Sequence, residues 1–250
     1  MPPSTRRHIR RFCGLVISLA ALAAGPSLAQ SQDRGVFDIY LGTFKVGLFA
    51  FSGVEERGRY STAGQLRSVG LIGVIADVRY DAKSRGRVRA GRYVPEAYEE
   101  RANIGSRSTD LVMSYKNGVP GPPRFDPPRD SDRPALDPAA QGDAVDLMTM
   151  FYTLLRDQPE DEVCGQETYV FDGVRRTRVR LQVESRAPGR ITCAAEYRRI
   201  AGFSAWELRE RPVIPFRLVY VETDDGTYSA EEGILDTVYG IIRLERRPPG

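Results

Sequence analysis

The hydrophobic and polar positions of this chain mainly follow the two-residue alternation that is typical of β-strands. In the clearest case, apolar or β-branched residues at 177, 179, 181 and 183 alternate with polar residues at 176, 178, 180 and 182. Turn sequences such as Asn117-Gly118 and Asp172-Gly173 separate such runs and favour hairpins. The pattern predicts about ten to twelve strands, at 36–41, 45–51, 59–67, 79–93, 95–104, 108–115, 168–171, 175–184, 191–200, 216–222, 227–235 and 237–243.

Three segments depart from this alternation. Residues 69–78 are apolar nearly throughout and fit either a buried strand or a short helix. Residues 119–141 hold seven of the 17 prolines, which lack a backbone donor, so they predict a surface connection instead of a central strand. Residues 143–156 place apolar side chains at helical spacing behind Asp143, a candidate N-cap, and predict an α-helix.

Together these elements predict a mainly β fold. We expect a single curved antiparallel sheet, open or a partial barrel, packed around one principal α-helix. The single β-rich domain would extend over residues 30–250, with the Pro-rich connection at 119–141.

The first 29 residues have the three zones of a secretory signal peptide. A basic start that contains Arg6, Arg7, Arg10 and Arg11 precedes the apolar run at 12–24, and Ser27-Leu28-Ala29 follows it. This pattern predicts cleavage between Ala29 and Gln30. The apolar run is too short for a membrane span, which needs about 20 residues. We therefore expect a soluble, non-lipidated protein that is exported to the periplasm.

Removal of residues 1–29 changes the net charge and the reactive side chains of the protein. The whole chain has a formal charge of +3, but residues 30–250 hold 32 basic and 33 acidic residues and have a charge of −1. The only histidine, His8, also leaves, which excludes Ser-His-Asp and Cys-His nucleophiles and His-ligated zinc. Cys164 and Cys193 remain as an even pair, and in an oxidising compartment they predict a disulfide.

Candidate binding residues form two groups. Arg176, Arg178 and Arg180 share one face of a predicted strand and offer an anion-binding surface, although alternation alone also predicts a solvated outer face. A curved sheet around a helix also leaves room for an apolar concavity. Its candidate lining residues are aromatic, with ordinary core packing as the other interpretation: Phe37, Phe49, Phe51, Phe203 and Trp206.

Several blocks, in their order along residues 36–245, resemble a family of exported bacterial proteins known as domain of unknown function 3108. They are Phe37-Asp-Ile-Tyr-Leu-Gly42 with Val46-Gly47, Ser68-Val-Gly70-Leu71, Val94-Pro95-Glu-Ala-Tyr98, Asp143-Ala-Val-Asp146-Leu147, Val170-Phe-Asp-Gly-Val-Arg175, Cys193-x-x-x-Tyr197-x-x-x-Ala201-Gly-Phe203 and Ile214-Pro215-Phe-Arg217. The resemblance implies a protein of a Gram-negative envelope with no assigned activity and no catalytic residues to carry over. More loosely, the layout is similar to the periplasmic lipoprotein-carrier half-barrels, which enclose a cavity for acyl chains.

These observations predict a non-catalytic periplasmic protein that binds or carries an apolar or amphipathic envelope ligand. No cofactor and no metal ion are expected, and the charge of −1 disfavours nucleic acid as a partner. Two alternatives stay open. One is an envelope glycan hydrolase that uses two carboxylates, and the other is a scaffold subunit of an envelope complex.

Overall fold

The computed structural model describes residues 31–70, 73, 77–129, 136–237 and 240–248. The predicted signal peptide and its cleavage site at Ala29 and Gln30 lie outside these residues. Fifteen strands form the sheet: β1 Ser31–Leu41, β2 Phe44–Glu56, β3 Arg59–Ser68, β4 Val78–Arg89, β5 Arg92–Ile104, β6 Arg107–Lys116, β7 Val119–Pro120, β8 Arg124–Asp126, β9 Ala144–Val145, β10 Glu167–Phe171, β11 Arg176–Ala187, β12 Arg190–Ala201, β13 Val213–Glu222, β14 Tyr228–Thr237 and β15 Gly240–Arg246.

The strands are joined by hairpins into one nearly closed sheet. The order across it is β7-β6-β5-β4-β3-β2-β1-β15-β14-β13-β12-β11-β10-β9, with β8 paired to β6. All pairs are antiparallel except β9 with β10. Phe37–Leu41 of β1 pair with Ile242–Arg246 of β15, so the first and last strands join the two halves of the sheet. This confirms the predicted curved antiparallel sheet.

The principal helix, α1 (Leu147–Leu155), lies against the inner face of this sheet and contacts strands of both halves. Met148, Tyr152, Leu154 and Leu155 are buried in a core with the aromatic side chains of β1, β2 and β3. Sequence reasoning placed the helix start at Asp143, which is wrong. Asp146 is the N-cap and accepts a hydrogen bond from the Thr149 amide. Residues 144–145 instead pair with β10 as β9.

Other boundaries also differ from the prediction. The turn between β4 and β5 lies at Ala90-Gly91 instead of near residue 94. A second helix, α2 (Ala205–Glu210), connects β12 to β13 and was not predicted. The described part of the Pro-rich connection contains the short strands β7 and β8 at the edge of the sheet and the 3-10 helix Pro138–Gln141, as expected for a segment with few backbone donors.

The apolar segment at 69–78 begins with a helical turn. The Gly73 amide donates to the Val69 carbonyl oxygen at 3.3 Å, the spacing of an α-helical turn, and residues 71–72 and 74–76 lie outside the described part of the chain. Within the described residues, no helix combines the length and apolarity that crossing a membrane requires.

A disulfide joins Cys164 to Cys193, as the sequence predicted. Cys164 follows the short 3-10 helix Glu160–Glu162, and Cys193 lies on β12. The bond therefore ties the connection that follows α1 to the second half of the sheet.

Two inner-face glycines allow α1 to approach the strands closely. A Cβ atom on Gly53 would lie 2.2 Å from Tyr152 Cε2, and one on Gly64 would lie 2.6 Å from Met148 Sδ. Real Cβ atoms do not occupy such positions, so a side chain at Gly53 would have to displace the Tyr152 ring, and one at Gly64 the flexible end of Met148. The space between helix and sheet is thus filled by the side chains of α1.

We predict that Gly53→Ala destabilises the protein by about 1–3 kcal/mol, because the added methyl group overpacks the core. The Tyr152 ring cannot easily yield, since its hydroxyl donates to Asp33 Oδ2 at 2.7 Å. Chemical denaturation would measure the change in the free energy of unfolding. Gly165→Ala is the matched control, because a Cβ atom there meets no atom within 4 Å. Equal stability of the two variants would contradict the packing argument.

Candidate functional site

The candidate site is a gap where the two halves of the sheet separate. β1 pairs with β2 along its whole length, but its pairing with β15 begins only at Phe37. On the other side, the pairing of β14 with β15 begins at Glu232, so Tyr228–Glu231 have no partner on β15. The first half of β1 and the first part of β14 therefore flank an opening in the sheet.

The segment that follows α1 crosses the inner side of this opening. The Asp157 amide donates to Asp33 Oδ1 at 3.1 Å, and Ser229 Oγ donates to the Asp157 carboxylate. Gln158 forms an antiparallel bridge with Tyr228. Asp33, Asp157 and Ser229 thus link β1 to β14 where the strands themselves do not pair.

Arg246, at the end of β15, occupies the gap. Its guanidinium lies over the rings of Phe37 and Phe51, at 5.6 and 6.0 Å from their centroids, and donates to the Arg34 carbonyl oxygen at 2.9 Å. A Cβ atom on Gly35 would lie 2.7 Å from Arg246 Nη2, so the glycine makes room for this side chain. The arginine is held by aromatic faces and by backbone.

Arg246 also neutralises two carboxylates. Its Nη1 atom lies 3.7 Å from Asp157 Oδ1 and 3.9 Å from Glu231 Oε1. Burial raises the pKa of Glu231, Arg246 opposes this shift, and Asp157 adds to it. A partly buried cation between two acids and two aromatic rings makes this part of the gap polar but well packed.

A pocket with a volume of about 1130 Å³ lies at this gap, and we call it the gap pocket. Its wall on β1–β4 consists largely of small side chains, and charged residues from both sides surround them. The lining residues are Arg34, Gly35, Val36, Ala50, Phe51, Ser52, Ala63, Gly64, Gln65, Asp81, Ala82, Lys83, Asp157, Thr223, Ser229, Glu231, Arg246, Arg247 and Pro248. Small apolar surface beside fixed charges suits an amphipathic molecule.

A second pocket of about 730 Å³ lies beside α1, between the β4–β5 turn and β10. Tyr93 and Arg156 line it, and the Arg156 guanidinium lies 5.9 Å from the centroid of the Tyr93 ring. The Tyr93 hydroxyl donates to Glu55 Oε2 at 2.7 Å, and Arg156 pairs with Glu162. Its aromatic and charged groups are therefore already engaged with one another.

A buried polar cluster lies at the start of α1. Asp146 is fully buried and accepts hydrogen bonds from Ser84 Oγ and Thr149 Oγ1, both at 2.7 Å. The Tyr60 hydroxyl contacts Thr149 Oγ1 at 2.8 Å. Burial raises the pKa of Asp146 to about 6, although the hydrogen bonds from Thr149 and Ser84 oppose the shift. The cluster therefore anchors the helix to β3 and β4 through a carboxyl group that titrates near neutrality.

The five predicted cavity-lining residues do not lie together in the structure. Phe37, Phe49 and Phe51 pack against one another with ring centroids 6.3–6.5 Å apart in the core, and Phe51 also lines the gap pocket. Phe203 lies outside that cluster, between the guanidinium groups of Arg175 and Arg199. Trp206 is 62% exposed on α2.

The three arginines of the predicted anion-binding face do lie side by side on β11. Arg176 binds Asp143 through two hydrogen bonds of 2.7 and 2.8 Å. Arg178 lies 2.5 Å from Glu196, and Arg180 lies 3.7 Å from Glu167. Carboxylates of the same chain thus pair with all three cations.

Sequence reasoning missed the charged residues of the gap. Arg34, Asp157, Glu231 and Arg246 carry no local motif, and only the pairing of β1 with β15 brings them together. Gly35 was the one local signal, because a glycine inside a strand indicates a close approach by another group.

The fold and the gap define a class: a nearly closed antiparallel sheet around one core helix, with an amphipathic pocket at the junction of its halves. Residues 36–191 match the model of a family described as Protein of unknown function (DUF3108), and the chain belongs to this family. The match ends at the start of β12, so the later blocks of the resemblance lie outside it. No curated protein and no solved structure matches the chain.

We predict that protonation of Asp146 makes the stability of the protein depend on pH. Because its pKa is about 6 when folded and near 3.8 otherwise, the folded state holds the extra proton between these values. The stabilising contribution of the protonated group is complete below pH 4 and is lost as the pH rises through 6. We expect the unfolding free energy of the wild type, relative to Asp146→Asn, to fall by roughly 2 kcal/mol from pH 4 to 7.

Denaturation at a series of pH values measures this difference. Asp225→Asn is the control, because hydrogen bonds from Thr223 and Thr227 lower the pKa of Asp225 to about 2. Its contribution is lost only as the pH falls toward that value, so its difference stays flat between pH 4 and 7. If the difference in unfolding free energy between the wild type and Asp146→Asn also stays constant between pH 4 and 7, the raised pKa of Asp146 is refuted.

We predict that Arg246 keeps the pKa of Glu231 from rising further. Replacing it with Gln removes the charge that opposes the shift at Glu231, so the pKa of Glu231 rises further. Carboxyl chemical shifts followed by NMR through a pH titration measure this change. Arg243→Gln is the matched control, because Arg243 pairs with Glu232 and Glu245 instead. An unchanged Glu231 titration in Arg246→Gln would exclude the proposed coupling.

Proposed function

We propose that this protein is a non-catalytic, exported binding protein that holds or carries an amphipathic envelope ligand in the gap pocket. The observation that carries the proposal is the pocket itself: about 1130 Å³, with small side chains on one wall and paired charges beside them. Its volume lies slightly above the range of about 300–1,000 Å³ that is common for small-molecule sites.

We place the ligand at the junction between the two halves of the sheet instead of in the interior of the sheet. Sequence reasoning put the ligand between sheet and helix, but Tyr152 and Met148 fill that space against Gly53 and Gly64. The gap instead exposes small residues such as Ala50 and Ala63, which leave room for an apolar chain. Lys83, Arg247 and Glu231 stand near this surface and supply partners for a polar group.

Export to the periplasm is part of this proposal. The signal-peptide pattern of residues 1–29 and the Cys164–Cys193 disulfide both support it, because disulfides persist in oxidising compartments.

Three carboxylates that could serve the hydrolase alternative, Glu100, Asp81 and Glu96, are held by neighbouring side chains. Glu100 accepts hydrogen bonds from the Tyr80 and Tyr98 hydroxyls, at 2.7 and 2.5 Å, and burial raises its pKa. Asp81 is held by Arg79 and Gln65, and Glu96 by Arg59 and Arg87. These contacts favour structural roles, so binding is the function we propose.

The test uses native mass spectrometry on protein purified from the cells that produce it. We expect the wild type to carry an additional lipid-like mass, or to retain added lysophosphatidylglycerol at concentrations below its micelle formation. Ala63→Trp fills the pocket wall and should abolish retention. Ala194→Trp, on the exposed face of β12, is the matched control and should retain the ligand. A bare protein mass under both conditions, or equal retention by both variants, would refute the proposal.

A further inference from the structure

The exposed large apolar side chains are concentrated at one end of the sheet. Six such residues occur in the described part of the chain: Phe44, Ile104, Val183, Ile200, Trp206 and Ile241. Because neighbouring strands are antiparallel, six connections lie at the same end: β1–β2, β3–β4, β5–β6, β10–β11, β12–β13 and β14–β15. Every one of the six except Val183 lies on or beside these connections. We call this the apolar end and define it by Phe44, Ile104, Ile200, Trp206 and Ile241.

Two of these residues lie on or beside connections that a backbone hydrogen bond joins. The Gly42 amide donates to the Ile241 carbonyl oxygen at 3.0 Å, which brings the β1–β2 turn beside the start of β15. Phe44, directly after this turn, is 76% exposed. Isolated exposed apolar residues are common, but their concentration at one end indicates an interaction surface.

Trp206 has the surroundings of an interfacial tryptophan. It lies on α2, which begins with a capping box of Ser204 and Glu207 and carries Arg209 in its last turn. Tryptophan combines a large apolar body with one polar N–H group, and it is enriched at the boundary between lipid and water. α2 thus holds the indole in a fixed position at the apolar end.

The charges at the apolar end are predominantly basic. Within the connections at this end and two strand residues on either side, eight basic residues face five acidic ones among the described positions. The basic ones are Lys45, Arg67, Arg79, Arg107, Arg175, Arg176, Arg209 and Arg211, and the acidic ones are Asp77, Asp172, Glu207, Glu210 and Asp236.

The acidic runs at 157–162 and 222–225 lie at the other end of the sheet. Glu160 pairs there with Arg186 at the end of β11, and Gln158 bridges to Tyr228 at the start of β14. The molecule is therefore polarised, with apolar and basic groups at one end and acidic runs at the other.

We propose that the apolar end docks on an anionic lipid surface. Phe44, Ile104, Trp206 and Ile241 enter the boundary between headgroups and acyl chains. Arginines on or beside the connections, Arg107, Arg209 and Arg211, contact lipid phosphates. This surface is distinct from the gap pocket, whose lining comes from the middle of the strands and from the opposite end. The proposal does not depend on a ligand in that pocket.

The test measures binding to vesicles and the fluorescence of Trp206, which is the only tryptophan of the chain. Protein purified from the producing cells is mixed with vesicles of phosphatidylglycerol and phosphatidylethanolamine, or of phosphatidylcholine alone. We expect sedimentation with the anionic vesicles, weaker binding in high salt, and a blue shift of the Trp206 emission as the indole leaves water.

Variants assign the binding to the apolar end. Phe44→Ser combined with Ile241→Ser should lower the vesicle partition constant by about tenfold or more, because two large apolar side chains no longer enter the lipid. Val183→Ser is the matched control, because it removes an exposed apolar side chain from the middle of β11. It should change the constant by less than about twofold. All variants carry the same N-terminus, so differences between them report the substituted side chains.

Three outcomes would overturn the proposal. The wild type could fail to bind anionic vesicles, or bind them without any shift of the Trp206 emission, or lose as much binding through Val183→Ser as through the double variant. Self-association that is abolished by the double variant, without vesicle binding, would assign the apolar end to a second copy of the chain instead. None of these results would affect the retention of lysophosphatidylglycerol by the gap pocket.

Discussion

The contact on which the rest of the structure depends is that between α1 and the inner face of β2 and β3. Gly53 and Gly64 let the ring of Tyr152 and the sulfur of Met148 lie almost against the strand backbone. The helix thereby fills the space that a curved sheet would otherwise leave hollow. Tyr152 then reaches Asp33, which also receives the Asp157 amide, so the position of the helix determines the geometry at the gap.

Polar groups support this contact from both ends of the helix. At its start, Asp146 lies in a fully buried cluster with Ser84, Thr149 and Tyr60, and each hydrogen bond there compensates for lost hydration. After its end, the Cys164–Cys193 bond ties the following connection to β12. The helix is fixed to the first half of the sheet by hydrogen bonds, and its following connection to the second half by a covalent bond.

Local patterns predicted most of the fold. Alternation predicted the long strands, and short stretches of sequence also predicted the helix, the disulfide pair and the absence of a central strand in the Pro-rich segment. The helix start could not be placed, because Asp143 and Asp146 are both acceptable caps and the parallel pairing of β9 with β10 decides between them. α2 had a local signal, the Ser204–Glu207 capping box, but its six residues are too few for a recognisable period.

Local sequence patterns could not predict the gap, because its residues are far apart along the chain. Arg34 and Arg246 meet across 212 positions, and Asp33 and Asp157 across 124. Nothing in a window of ten or fifteen residues distinguishes Arg246 from the other arginines of the chain. Likewise, the alternation placed the arginines of β11 on one face, but only the strand pairing showed that Glu196 and Asp143 lie beside them.

The pairing of β1 with β15 has a consequence for how the chain acquires its structure. β1 finds one of its two neighbours only in β15, about 200 residues later in the chain, so the two halves of the sheet cannot join until both strands are present. Contacts between such distant segments slow folding, because the loop between them must close first. Until β15 is available, β1 pairs only with β2, so its other side remains a free sheet edge that another strand could pair with.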